Sequence, residues 1–300
     1  MINLSDSRTL LKESFREWVD DNAPRLGAAL AFYTAFSLSP VLVVVIAIAG
    51  LAFGYEAAQR QIMGQVQGLL GEQGAKAVAT MLQDASKPSS GIVASVVGLV
   101  TLLIGATGVF GELRDALNTI WEVPSKGLGG IRGLIKDRFL SFTMLLGIGF
   151  LLLVSLVISA GLAAVGRFLG GVLPALSVLG EVANFLISLV VITVLFAMIY
   201  KYLPDLKIPW GDVWIGAAVT ALLFDLGKSL IGLYLGSSKI ASTYGAASSL
   251  AIVLIWIYYS AQIFLFGAEF TQVYARQHGS RLNIEPTPAS NQLKATHPPV

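Results

Sequence analysis

Asp225 and Lys228 stand three residues apart inside a long apolar run, so on a helix they share one face. Counted from Val213 to Leu235, both fall near the middle of that run. An ionisable group facing hydrocarbon at such depth costs at least ~3 kcal/mol. The two must therefore face protein or water, and each can neutralise the other. Two chemistries fit: a polar station on a path for a substrate, ion or proton, or an internal pair that fixes helix packing. Tyr33, Ser37, Tyr244 and Glu269 are the other candidates for such a path. Tyr33, Thr34, Ser37 and Ser39 form a polar patch just before Pro40, and the proline predicts a kink. Glu269 is expected near the cytoplasmic end of its helix, positioned to snorkel or cap.

Small residues form a second set. Gly91, Gly98 and Gly105 are seven apart, about two helical turns, and make one smooth strip. Gly216 stands with Thr220, and Gly232 with Gly236 forms a GxxxG. Such faces let helix backbones approach closely, or let one helix move against another. The GxxxG suits a homo-oligomer as well as packing within one chain.

Other chemistry is missing from the residue inventory. There is no cysteine, and both histidines, His278 and His297, lie beyond the last apolar run. Thiolate catalysis, a histidine metal site and a Ser/His/Asp triad within the apolar body are thereby excluded. No phosphate-binding glycine loop is visible. The expectation is a non-enzyme with no cofactor and no metal. A net charge of +2 gives no footprint for nucleic acid, and membrane lipids are the expected partners.

The elements that must position these residues follow from hydropathy. The 300 residues are 55% hydrophobic and only 13% charged, with a mean hydropathy of +0.74. Six apolar runs, 27–53, 91–111, 139–163, 182–203, 213–235 and 249–272, are long enough to cross a bilayer core of ~30 Å. Helices are required, because backbone in lipid must satisfy its own hydrogen bonds. The fold class read here is all-α: a polytopic membrane protein with six transmembrane helices and amphipathic surface helices. A polar opening segment and the length of the first run predict no cleavable signal peptide. With the N terminus in the cytoplasm, fourteen of the twenty Lys and Arg fall on the cytoplasmic side. Both termini are therefore expected there.

Three amphipathic stretches lie between the runs. Residues 5–20 read as a helix on the cytoplasmic membrane surface. Residues 56–85 read as one or two short outer helices interrupted around Gly71 to Gly74. Residues 113–122 form a third stripe, ended by Pro124. The reading divides the chain into a cytoplasmic amphipathic segment, 1–25, a six-helix domain, 26–275, and a disordered cytoplasmic tail, 276–300.

Five blocks in order now carry a resemblance: AALAFYTAFSLSPVLVVVIAIAG from Ala28, GELRDALNTIWEV from Gly111, YLPDLKIPWGDVWIG from Tyr202, STYG from Ser242 and LIWIYYSAQIFLFGAE from Leu254. Together they resemble the YihY/BrkB family of bacterial inner-membrane proteins over about residues 10–275. The resemblance implies six transmembrane helices, a bacterial cytoplasmic membrane location and a role in envelope properties or in moving lipid-type molecules. It places Tyr33, Ser37, Pro40, Asn118, Trp121, Pro204, Gly216, Lys228, Tyr244, Gly245, Trp256, Gly267 and Glu269 on family motif positions, but not Asp225. The ribonuclease label the family has carried finds no support in these residues. Two functions stay open: a transporter or flippase-like protein for a lipid or other amphipathic envelope molecule, and a non-transporting scaffold or regulator acting through its basic loop at 126–138.

Overall fold

The computed structural model describes residues 4–85, 108–123, 175–237 and 248–279, and among them all regular structure is helical. In chain order the helices are α1 (Leu4–Asp20), α2 (Ala23–Phe53), α3 (Tyr55–Ala85), α4 (108–120), α5 (Ala175–Tyr202), α6 (Trp210–Ser237) and α7 (Ser248–Gln277). Three are long and apolar enough to cross a membrane, over Phe185–Tyr202, Trp210–Tyr234 and Leu250–Gln277. They coincide with the runs predicted at 182–203, 213–235 and 249–272. Counted as one span, α2 would be a fourth; its halves Ala23–Ser39 and Val41–Leu51 meet at a 43° bend. That bend falls at Pro40, which lacks the N–H to continue the ladder. The predicted run at 139–163, most of that at 91–111, the tail beyond Gly279, and Gly91, Gly98, Gly105 and Tyr244 lie outside the described residues.

The bundle is organised around α7, which packs against α1, α2, α3 and α6. Its main apolar cluster joins Leu117, Ile120 and Trp121 of α4 to Tyr200 of α5, Ala217 and Ala221 of α6, and Leu265 and Ala268 of α7. A second cluster joins Ala35, Leu42 and Ile46 of α2 to Val78 and Leu82 of α3 and Val253 of α7.

The amphipathic stretches differ from expectation. The stretch at 56–85 is one unbroken helix, not two short ones interrupted around Gly71 to Gly74. Glycine costs a helix only ~1 kcal/mol, which lateral packing on α2 and α7 offsets. One residue, Gly54, turns α2 into α3 with φ 83°, a conformation open to glycine. The end of α3 then returns to the middle of α2, where Ser39 Oγ donates to the Met81 carbonyl at 2.9 Å. The third stretch is likewise core: Leu117, Ile120 and Trp121 are fully buried. Its helix stops before Pro124, at Glu122, which takes the left-handed conformation (φ 50°). The amides of Glu122 and Val123 donate to the carbonyls of Thr119 and Asn118, a Schellman closure.

Candidate functional site

Asp225 and Lys228 pair as their spacing requires, Nζ to Oδ1 at 3.1 Å, with about a third of each side chain exposed. Ser229 adds a hydroxyl to the Asp225 carbonyl. Tyr33 sits on the exposed side of α2, edge-on to Phe32, while Ser37 is buried. α2 packs on α3 and α7, whereas α6 packs on α5 and α7, so the fold does not bring Tyr33 to the ion pair across an extensive interface. Gly232 is exposed, with open space where a Cβ would project. Gly236 lies in the last turn of α6.

The close approach of helices falls on other small residues. Thr271 of α7 lies against Gly216 of α6, and Thr220 of α6 lies against Gly267 of α7. Each hydroxyl is satisfied within its own helix: Thr220 donates to the Gly216 carbonyl at 2.7 Å and Thr271 to the Gly267 carbonyl at 2.6 Å. The threonines thus set Oγ1 nearest the facing glycine, with the methyl a little further out, and leave no donor unpaired. Tyr200 ties in α5, donating to the Phe264 carbonyl at 2.7 Å and lying 3.1 Å from Thr220 Oγ1.

Glu269 lies between Gly267 and Thr271 in sequence, on the opposite side of α7, and is completely buried. The sequence reading had it snorkelling or capping. The difference is α1, which folds back over the C-terminal half of α7. Leu10 packs with Phe270 and Val273. The Arg276 guanidinium donates to Glu17 at 2.7 Å, and the Gln277 amide donates to Glu13. Beneath this cover neither carboxylate oxygen of Glu269 has a hydrogen-bond donor among the described residues. The Asp21 carboxyl, in the α1–α2 turn, lies within reach of Glu269. Two ionised carboxylates are both acceptors, so this contact becomes a hydrogen bond only when one of them carries a proton. Burial first, then the carboxylates of Glu17, Glu122 and Asp20, push Asp21 from its ordinary 3.8 up to about 7, against the opposing effect of the Glu269 contact. The nearby cation, Arg276, is already engaged by Glu17. The arrangement can hold and release a proton near neutral pH toward the C-terminal end of a helix long and apolar enough to cross a membrane. Among the described residues no cluster suits a metal ion.

Beside this pair an open groove of about 400 Å³ runs between α1, α6 and α7. Its walls are apolar, from Phe15 and Trp18 down to Leu226 and Leu230, apart from Gln262 and Tyr259.

Thr220 was singled out with Gly216, whereas Asp21, Thr271 and Gln262 were not. For the threonines a signal existed, since both sit four residues after a motif glycine. For Asp21 none did, because its significance comes from a contact with a helix far along the chain.

A family model described as Virulence factor BrkB matches residues 14–292. A UPF0761 membrane protein of Ralstonia nicotianae is 28% identical over 269 residues, covering 89% of this chain and 58% of the relative. One from Pseudomonas aeruginosa is 29% identical, covering 84% and 59%, and one from Verminephrobacter eiseniae is 30% identical, covering 87% and 60%. The chain therefore spans a little over half the length of these relatives. No solved structure matches it.

Proposed function

This chain belongs to the BrkB family of membrane proteins, and from that premise we propose that it is a proton-linked transporter, flippase-like in action, for a lipid or other amphipathic envelope molecule. The observation carrying this reading is the Asp21–Glu269 contact. A buried carboxyl in a crossing helix, with no hydrogen-bond donor to its oxygens among the described residues and its nearby cation held by Glu17, is costly to keep for packing alone. A proton exchanged there changes the charge beneath α1 by one unit, which suffices to bias a hinged cover. The Gly216–Thr271 and Gly267–Thr220 seats supply a smooth seam along which α6 and α7 can shift. The apolar groove alongside suits a substrate with a hydrocarbon part. The cytoplasmic bacterial membrane, with both termini inside, is the setting this mechanism assumes.

Purified protein in liposomes under an imposed pH gradient tests it. Labelled envelope lipids should exchange leaflets faster than in protein-free vesicles, and Glu269→Gln should remove the response to the gradient. Absence of movement above background for every envelope lipid tried would sink the proposal. Sensitivity to charge reversal at Arg132 and Lys136, with Glu269→Gln harmless, would favour a scaffold acting through its basic loop.

A further inference from the structure

We infer that the groove between α1, α6 and α7 is a binding site for one anionic glycerophospholipid, an acyl chain lying in the groove and the phosphate resting at Lys12 and Arg16. The groove flank on α6 is formed by Leu226 and Leu230, 64% and 63% exposed on a helix of crossing length, so its open side faces hydrocarbon. From Leu223 to Leu230 it follows ~10 Å of helix axis, the shape of a chain segment rather than of a compact solute. Phe15 and Trp18, stacked at 5.7 Å, close the cytoplasmic end.

Charge selects the occupant. Lys12 lies one turn from Phe15 and Arg16 next to it in sequence, both exposed on α1 and flanking the groove lining; Arg16 stands 3.5 Å from Asp20 but stays 76% exposed, so a lipid phosphate at the groove mouth would compete for it. The Gln262 amide is buried against Gly27 of α2, which leaves the groove itself apolar. An apolar protein segment would supply no anion for the flanking cations. The site binds whether the lipid is carried across or stays as a fixed component.

Vesicles containing dibrominated phosphatidylglycerol or dibrominated phosphatidylcholine provide the test, because bromine on the chain quenches a tryptophan it touches. Trp18 emission, isolated by difference from Trp18→Phe, should be quenched at roughly tenfold lower mole fraction of the anionic lipid. Lys12→Glu/Arg16→Glu should abolish the preference while chain quenching persists. Native mass spectrometry of the full chain should show one retained phosphatidylglycerol, lost in Leu226→Trp, a change at an exposed position that the fold tolerates. Equal quenching by both lipids, or none assignable to Trp18, overturns the inference and points to a second copy or another part of this chain over the groove. Binding without leaflet exchange would keep this site and count against the transport reading, and exchange without binding the reverse.

Discussion

Thr271 of α7 seats on the backbone of Gly216 in α6, and one turn along each helix the roles exchange, with Thr220 on Gly267. A Cβ built at Gly216 would lie 2.6 Å from Thr271 Cβ, and one at Gly267 would lie 2.8 Å from Thr220 Cβ. Gly216→Val therefore has no room. It should cost ~1–3 kcal/mol in a detergent-unfolding titration, the usual range for overpacking. Thr271→Ala in the same chain should recover much of that loss. Wild-type stability in the single variant would show that the helices stand further apart than described.

Ionisation of Asp21 makes stability depend on pH with a definite sign. Its folded pKa, about 7, exceeds the ordinary 3.8, so the folded chain holds the proton more tightly than the unfolded one. The stabilisation is complete below about 3.8 and is lost as pH rises through about 7. Burial, then Glu17, Glu122 and Asp20, oppose the charged form, while the Glu269 contact works the other way. Stability of the wild type should fall across this window, and Asp21→Asn should flatten the curve. Measuring unfolding at several pH values checks this, and an unchanged slope in the variant refutes the assignment.

Arg114 and Asn118 of α4 hold Asp205 in the α5–α6 connection. The guanidinium grips both carboxylate oxygens at 2.5 and 3.2 Å, and the Asn118 amide adds a third bond at 3.0 Å. The Asp205 amide returns one to Asn118 Oδ1 at 2.9 Å. Asp205→Ala should destabilise by about 1–2 kcal/mol, with the double variant Arg114→Ala/Asp205→Ala costing less than the sum of the singles. Strict additivity in a double-mutant cycle would mean that the clamp does not act as a unit.

The ion pair on α6 gives a comparison of opposite kind. Asp225→Asn leaves Lys228 half-buried without its countercharge, so folded yield from membranes should drop. Adding Lys228→Gln should restore it. If the double variant folds no better than the single, the pair is not mutually neutralising.

How much of this was legible in the sequence depended on whether a feature is local. Helices α5 to α7 and the shared face of Asp225 and Lys228 follow from run length and helical spacing, which need no knowledge of neighbours. The bend in α2 was legible for the same reason, at Pro40. The continuity of α3 was not, because its glycines weaken it locally and only packing on α2 and α7 sustains it. Glu269 was placed at the right depth along its helix but given the wrong surroundings. Its burial is decided by α1, and no pattern within 254–269 indicates that a segment near residue 10 will cover it. Close helix contact was expected on α6 both at Gly216 with Thr220 and at Gly232 with Gly236. In the fold Gly232 stands open, and the contact lies at Gly216 and Gly267.

The fastening of α1 to Arg276 and Gln277 also orders events during synthesis. A ribosome delivers the segment bearing Glu13 and Glu17 long before their anchors exist, so α1 must wait, undocked, until α7 has been threaded. Newly made chains should therefore pass through a stage in which Glu269 is still hydrated, and a protease site inserted near Asn22 should be cut in that interval and spared afterwards.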